Sequence, residues 1–163
     1  MYGVLPDDLC NYQVDADVRL VSQARYYEGA GSGFGIGVCD RISDGVPAGF
    51  ILQYATIQGA ALRTEANSGH FAMPDVNNGV GVPLEPDSKV HHWKVRVKGG
   101  LAYYAIDYGK EIGPFGLTRE TATADQSRYL DSLPEGCNGS GAYFRVLNSI
   151  VDFSNVEARA LSP

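Results

Sequence analysis

Apolar and polar residues alternate almost without interruption along residues 11–22, NYQVDADVRLVS. A period of two residues is typical of a strand with one face on a hydrophobic core and the other on solvent. A helix does not fit, because an amphipathic helix repeats about every 3.6 residues. The apolar members are Tyr12, Val14, Ala16, Val18 and Leu20, and the polar members are Gln13, Asp15, Asp17 and Arg19.

The same alternation recurs along most of the chain. Further strand-like runs cover residues 33–41, 48–57, 59–66, 91–98, 101–108, 142–147 and 150–161. Gly99 and Gly100 separate two of these runs and predict a two-residue hairpin, because glycine adopts positive φ without strain. Short strands with frequent turns predict an all-β fold, a two-sheet antiparallel β-sandwich of the jelly-roll type.

One segment carries a helical signal. In TADQSRYLDSL, Thr123 and Gln126 have the spacing of a capping box, and residues 129–133 add an apolar stripe. We expect one short helix near residues 124–132, packed over an end of a sheet. A length of 163 residues predicts a single domain over residues 1–163. The abrupt chain ends favour a domain that belongs to a longer protein.

Five glycines fall within the ten residues GAGSGFGIGV, residues 29–38. A dinucleotide-binding fingerprint needs glycines at i, i+2 and i+5, yet the third position is Phe34, Ile36 or Val38 in the three registers available. A Walker loop is excluded as well, because the Gly-Lys pair at 109–110 precedes a glutamate. We interpret these glycines as outer positions of a strand, where a neighbouring segment or a flat ligand approaches the backbone closely.

The net charge of the chain disfavours some kinds of binding partner. A formal net charge of -6 disfavours nucleic acid and anionic membranes, which bind basic surfaces. The longest mostly apolar stretch, residues 46–62, contains Gln53 and Gln58, so no membrane span is predicted. The first twelve residues, MYGVLPDDLCNY, lack the basic and apolar regions of a signal peptide.

Three cysteines leave two interpretations open. Cys10, Cys39 and Cys137 form no CxxC pair and have no histidine at zinc-finger spacing. They are either buried or incidental thiols, or Cys137 forms one disulfide with one of the other two and leaves a single thiol.

Catalytic patterns are sparse. His91 and His92 are neighbours on a predicted strand and point to opposite faces, so they cannot bind one metal together. Asp15 and Asp17 share a strand face, as the two carboxyl groups of a glycoside hydrolase would, but they also fit solvated strand positions.

A calcium loop is the one cofactor site that the sequence suggests. Asp75 and Asn77 in DVNNG resemble the start of an oxygen-rich loop, but an EF-hand would need a glutamate where Pro86 stands. A calcium site of another type and a plain Asn-Gly turn both stay open.

Tyrosine is abundant, with ten residues in the chain. Sugars stack their C–H faces on aromatic rings, and polar neighbours then orient the hydroxyl groups. One member of each adjacent tyrosine pair on a strand points outward, beside a polar and mildly basic strand face. The predicted ligand-binding residues are Tyr26, Tyr27, His92, Lys94, Arg96 and Tyr104.

Several motifs together resemble the concanavalin A-like lectin/glucanase superfamily, of the LamG type. WKVRVKG at 93–99 is similar to its W-x-V-x-V-x-G strand, and FSNV at 153–156 is similar to its closing strand. IDYG at 106–109 is similar to its v-D-G turn, but Tyr108 is inserted between Asp and Gly. GSGFGIGVCDR with GFILQY is similar to a strand pair of the first half.

The resemblance implies a jelly-roll sandwich that binds glycans or proteins as part of an extracellular or cell-surface protein. The catalytic strand of its laminarinase-like enzymes, E-x-D-x-x-E or E-x-D-x-E, is not matched, because the one E-x-D run, 85–87, lacks the second glutamate. We therefore expect a non-catalytic recognition domain whose ligand is a carbohydrate or glycoprotein. A glycoside hydrolase-like enzyme is one alternative. The other is an adhesion, sensor or phage-tail module, or a receptor-kinase ectodomain, that binds protein.

Overall fold

The computed structural model describes residues 2–3, 11–23, 33–43, 46–55, 59–66, 69–72, 89–118, 120–121 and 141–163. Every regular element within these residues is a β-strand. In chain order the strands are β1 (Tyr2–Gly3), β2 (Tyr12–Gln23), β3 (Gly33–Ser43), β4 (Val46–Ala55), β5 (Gly59–Ala66), β6 (Gly69–Ala72), β7 (His91–Lys98), β8 (Leu101–Ile106), β9 (Ile112–Gly116), β10 (Gly141–Leu147) and β11 (Ser149–Ala160). The helix predicted near residues 124–132 lies outside the described residues.

The strands form two antiparallel sheets, which confirms the predicted all-β sandwich. Within the described residues, one sheet has six strands in the order β1-β10-β3-β4-β5-β6, and the other has five in the order β11-β2-β7-β8-β9. Consecutive strands pair along β3-β4-β5-β6 and β7-β8-β9, whereas β10 beside β3 and β11 beside β2 bring together distant parts of the chain. The strand-like runs at 48–57 and 59–66 correspond to β4 and β5, which pair antiparallel as a hairpin.

The hydrophobic core lies between the sheets and is built by the alternation. Every second residue of β2 from Tyr12 to Leu20 is buried, as the alternation predicts. Phe34, Ile36 and Val38 of β3 cover them from the six-stranded sheet. Trp93 of β7 is fully buried, and its ring lies 5.0 Å from that of Phe34. Its indole nitrogen finds no hydrogen-bond partner among the described residues.

The hairpin between β7 and β8 turns at the predicted glycines. Gly99 and Gly100 have φ of 58° and 71°, the left-handed values that a type I′ turn requires at both central positions. Lys98 is consequently paired with Leu101, and Arg96 with Tyr103. This register decides which tyrosine of the pair at 103–104 faces outward.

One glycine of the 29–38 stretch receives the ring of a tyrosine. Gly37 is paired directly with Tyr143 of β10, so both residues lie on the outer face of the six-stranded sheet. Tyr143 is buried, and a Cβ added at Gly37 would lie 2.6 Å from its Cδ1 atom and closer still to Cε1 and Cζ. The glycine therefore serves the packing of the sheet, as the sequence predicted.

Substitution of Gly37 tests this packing role. Gly37→Ala should lower the free energy of unfolding by about 1–3 kcal/mol, because the new methyl group displaces a buried ring that has little freedom to move. Urea denaturation measures the change. In a Tyr143→Ala background the same substitution should cost little, and equal effects in both backgrounds would contradict the contact.

A candidate ligand-binding face on the five-stranded sheet

The outer face of the five-stranded sheet is rich in charged and aromatic side chains. In the pairing of β2 with β7, Asp15 lies opposite Lys94 and Asp17 lies opposite His92. Directly opposed residues of antiparallel strands share a face, and alternation extends this face along each strand. We call the following residues the outer face: Gln13, Asp15, Asp17 and Arg19 of β2, His92, Lys94, Arg96 and Lys98 of β7, and Tyr103 of β8.

Two cations of β7 share one carboxylate. Glu111 lies just before β9, and its Oε1 and Oε2 atoms accept hydrogen bonds of 3.1 and 2.5 Å from Nε and Nη2 of Arg96. The ammonium group of Lys94 lies 2.8 Å from Oε1 of the same carboxylate. Chiefly the hydrogen bond from Arg96, helped by Lys94, lowers the pKa of Glu111 to about 2.

Arg96 also covers an aromatic ring. Its Cζ atom lies 4.1 Å from the ring centroid of Tyr103, which is a cation–π contact. The hydrogen bond to Glu111 raises the pKa of Arg96, so this guanidinium keeps its charge. The three side chains form one arrangement in which the arginine is held from below by an aromatic ring and from the side by a carboxylate.

A second arrangement centres on His92. Its Nδ1 atom lies 2.9 Å from Asp17 Oδ1, and its Nε2 atom lies 3.3 Å from Asp15 Oδ1. Carboxylates only accept, so both contacts are hydrogen bonds when both ring nitrogens carry a proton. Asn155 of β11 donates to Asp17 Oδ2 at 2.7 Å, and Gln13 donates to Asp15 Oδ2 at 2.7 Å. The hydrogen bond from Asn155, followed by that from His92, lowers the pKa of Asp17.

Tyr108 completes this second arrangement. Its ring stacks on the imidazole of His92 with centroids 4.3 Å apart and an angle of 5° between the planes. The side chain nevertheless presents most of its surface to solvent, with the residue 83% exposed. We call His92, Asp15, Asp17, Asn155 and Tyr108 the His92 cluster.

The structure brings together three of the predicted site residues and separates a fourth. His92, Lys94 and Arg96 lie on the outer face, as their alternation indicates. Tyr104 instead packs in the core, 1% exposed and beside the ring of Phe115, and burial raises the pKa of its hydroxyl to about 12. Since its neighbour Tyr103 is paired with Arg96, Tyr103 supplies the outward ring, and we leave Tyr104 out of the site.

The other predicted site residues lie outside the described residues: Tyr26, Tyr27, Asp75 and Asn77. Cys10 and Cys137 do so as well, whereas Cys39 lies in β3. The prediction of a disulfide therefore stays a prediction. In the part of the chain that the structure describes, no three His, Cys, Asp or Glu side chains converge as a metal site requires. Nor do the described residues include a helix long and apolar enough to cross a membrane.

Several residues of these two arrangements are not among the site residues predicted from the sequence. Tyr103 could have been found by counting outward from the Gly99-Gly100 turn, since the hairpin register pairs it with Arg96. Glu111 and Asn155 gave no local signal, because their roles depend on which strands become neighbours. Tyr108 is one of the further tyrosines that the sequence offers for stacking, and its contact with His92 depends on the turn at 106–109.

Comparison with known proteins identifies the fold. No protein-family model matches the chain, and no curated protein has a significantly similar sequence. A putative glycosyl hydrolase from Parabacteroides distasonis has a TM-score of 0.59 and 16% identity, over 94% of this chain and 73% of that one. The carbohydrate-binding module CBM66 from Bacillus subtilis has a TM-score of 0.58 and 11% identity, over 98% and 91% of the two chains.

A third similar structure is sheep galectin-11 in complex with glycerol, with a TM-score of 0.54 and 11% identity, covering 98% of this chain and 95% of that chain. At such identities the similarity shows the fold alone. The chain shares the fold of these structures, a jelly roll of the concanavalin A-like type. The narrower LamG assignment stays a prediction.

The low pKa of Glu111 predicts how stability depends on pH. Because this pKa lies near 2 in the folded chain, against an ordinary value of 4.5, ionisation of Glu111 stabilises the fold above pH 4.5. The contribution is lost as the pH falls from 4.5 towards 2. Glu111→Gln should lower the free energy of unfolding by about 1 kcal/mol at pH 7, a value reduced by partial solvent screening, and should change it little at pH 2.

Urea denaturation of both proteins at a series of pH values measures this difference. Glu120→Gln is the matched control, since Glu120 is exposed and its one hydrogen bond among the described residues is a long one of 3.4 Å from Thr118. An identical pH profile for wild type and Glu111→Gln would contradict the role assigned to the carboxylate.

Proposed function

We propose that this chain is a carbohydrate-recognition domain that binds neutral saccharides on the outer face of the five-stranded sheet. The observation that carries the proposal is the composition of that face, where hydrogen-bonding groups and aromatic rings lie side by side. A sugar ring needs both, since its hydroxyl groups donate and accept hydrogen bonds while its C–H groups pack on an aromatic face.

The charges of the outer face balance one another, which favours an uncharged ligand. Lys94 and Arg96 share Glu111, and His92 lies between the two aspartates of β2. Arg19 is paired with Asp152 of β11. A polyanionic saccharide would have to compete with these carboxylates for the cations, whereas a neutral saccharide can add hydrogen bonds to groups that keep their pairing.

The fold supports the same ligand class. Two of the similar structures are a carbohydrate-binding module and a galectin, and this chain covers over nine-tenths of each. A ligand of this class fits a single-domain module of an extracellular or cell-surface protein, and we include that context in the proposal.

A glycoside hydrolase is the second candidate, because one similar structure is a putative glycosyl hydrolase. Such an enzyme needs one carboxyl group with a raised pKa to protonate the leaving oxygen. On the outer face the pKa of Glu111 and the pKa of Asp17 are both lowered, so these two groups are ionised and unsuited to that role. Recognition without hydrolysis is therefore the function that we propose for this face.

An array of neutral and uronic-acid oligosaccharides tests the ligand class, and isothermal titration with the best ligand tests the face. We expect binding to neutral glycans, and Tyr103→Ala should raise the Kd about tenfold, because Arg96 loses the ring that holds it in place on the outer face. Arg145→Ala, on the six-stranded sheet, is the control and should bind as wild type. No binding by the folded protein would contradict the proposal. Loss in Arg145→Ala alone would move the site to the other sheet.

A further inference from the structure

The turn that presents Tyr108 has a backbone conformation that disfavours tyrosine. Asp107 and Tyr108 have φ of 53° and 58°, and the Gly109 amide donates to the Ile106 carbonyl at 3.0 Å. These values define a type I′ turn, which strongly prefers asparagine, aspartate or glycine at its two central positions. A bulky side chain at positive φ is uncommon and persists where its surroundings hold it in place.

Contacts of Asp107 with His91 and His92 hold this turn in place. The Asp107 amide donates to the His92 carbonyl at 2.8 Å, and the His92 amide donates to Asp107 Oδ1 at 2.9 Å. The other carboxylate oxygen lies 2.6 Å from Nδ1 of His91. Three contacts thus fix the turn on the end of β7, and the next residue, Tyr108, is left to point over His92.

A residue with positive φ on another strand, Asn155 of β11, also contacts the residues around His92. Asn155 has φ of 47° and lies where the pairing of β11 with β2 shifts register, between Ser154 and Glu157. This bulge turns the Asn155 amide onto Asp17, which in turn contacts His92. Two separate departures from regular strand geometry, in the β8–β9 turn and in β11, therefore converge on one histidine.

We propose that the His92 cluster is a saccharide subsite in which Tyr108 is the stacking platform for one neutral sugar ring. This inference rests on the proposed function and names its contact residue. One face of the Tyr108 ring lies on His92, so the opposite face is the surface available to a ligand. Asp15 and Asp17 contact the histidine on which the platform lies, and Asn155 contacts Asp17, so these side chains offer acceptors and a donor to the hydroxyl groups at the rim of the sugar.

The stacking of His92 sets the orientation of the platform. The imidazole is held at both nitrogens by carboxylates, so it gives the tyrosine a fixed, flat support instead of a mobile one. A preorganised ring loses little conformational entropy when a ligand stacks on it. This explains why a tyrosine occupies a turn position where glycine would be less strained.

The substitution Tyr108→Gly separates a binding role from a structural one. Glycine suits the left-handed position, so the variant should unfold at a midpoint temperature equal to or above that of wild type. It should also raise the Kd for the best neutral oligosaccharide of the array about tenfold, because the platform is lost. Tyr108→Phe and Tyr108→Trp keep an aromatic face and should bind within about threefold of wild type.

Asn148→Gly is the matched control. Asn148 also has a positive φ, 48°, and lies in the turn between β10 and β11 without being part of the His92 cluster. The same relief of strain there should leave the affinity unchanged. Thermal unfolding and isothermal titration with the same oligosaccharide are measured on all five proteins.

The outcomes are distinct. Wild-type binding that persists unchanged in Tyr108→Gly would overturn the subsite while leaving the proposed function in place. A Tyr108→Gly variant that is markedly less stable than wild type would show that the ring holds the fold, and this too would overturn the subsite. A folded wild-type protein that binds none of the oligosaccharides would overturn the proposed function and the subsite together.

Discussion

The contact between Trp93 and Phe34, with ring centroids 5.0 Å apart, joins the central strand of the five-stranded sheet to the six-stranded sheet. With Trp93 facing the core, alternation requires that His92 and Lys94 face away from it. A slip of one residue in β7 would bury these polar groups and expose the tryptophan, so the hydrophobic core fixes the register. The outer face is therefore a consequence of the packing on the inner face.

This dependence explains which features could be predicted from the sequence. The strands β2, β7 and β8 and the turn at Gly99-Gly100 follow from local patterns, since period-two alternation and paired glycines act within a few residues. The position of Tyr104 in the core follows from the same pattern, when it is counted from the turn. The outward placement of His92, Lys94 and Arg96 was predictable for this reason.

The partners of those residues were not predictable in the same way. Asn155 and Asp17 are 138 positions apart in the sequence. Their contact depends on a bulge in β11 that no local pattern predicts. Glu111 meets Lys94 and Arg96 because its turn returns the chain to the edge of β8. Tyr108 occupies a turn position that sequence preferences assign to glycine or asparagine, so local rules fail there. Such failures are expected at functional sites, where a local preference is overridden by the surrounding structure.

The ion pairs also show that the outer face is less basic than the sequence predicted. The row of His92, Lys94 and Arg96 suggests a basic surface when it is considered alone. The structure adds Asp15, Asp17 and Glu111 to it, and the result is a balanced polar surface with the rings of Tyr103 and Tyr108 at two places along β7. A surface of this kind can bind a hydroxyl-rich neutral ligand without breaking its internal ion pairs.

The most direct test of this account is a titration of the ¹⁵N-labelled chain with a neutral oligosaccharide, followed by backbone amide chemical shifts. The account predicts that the perturbed amides map to the outer face and the turn at 106–109, with Asp17, His92 and Tyr108 among the largest shifts. Perturbations confined to β4 and β5 of the six-stranded sheet, or no perturbation at saturating oligosaccharide, would contradict it.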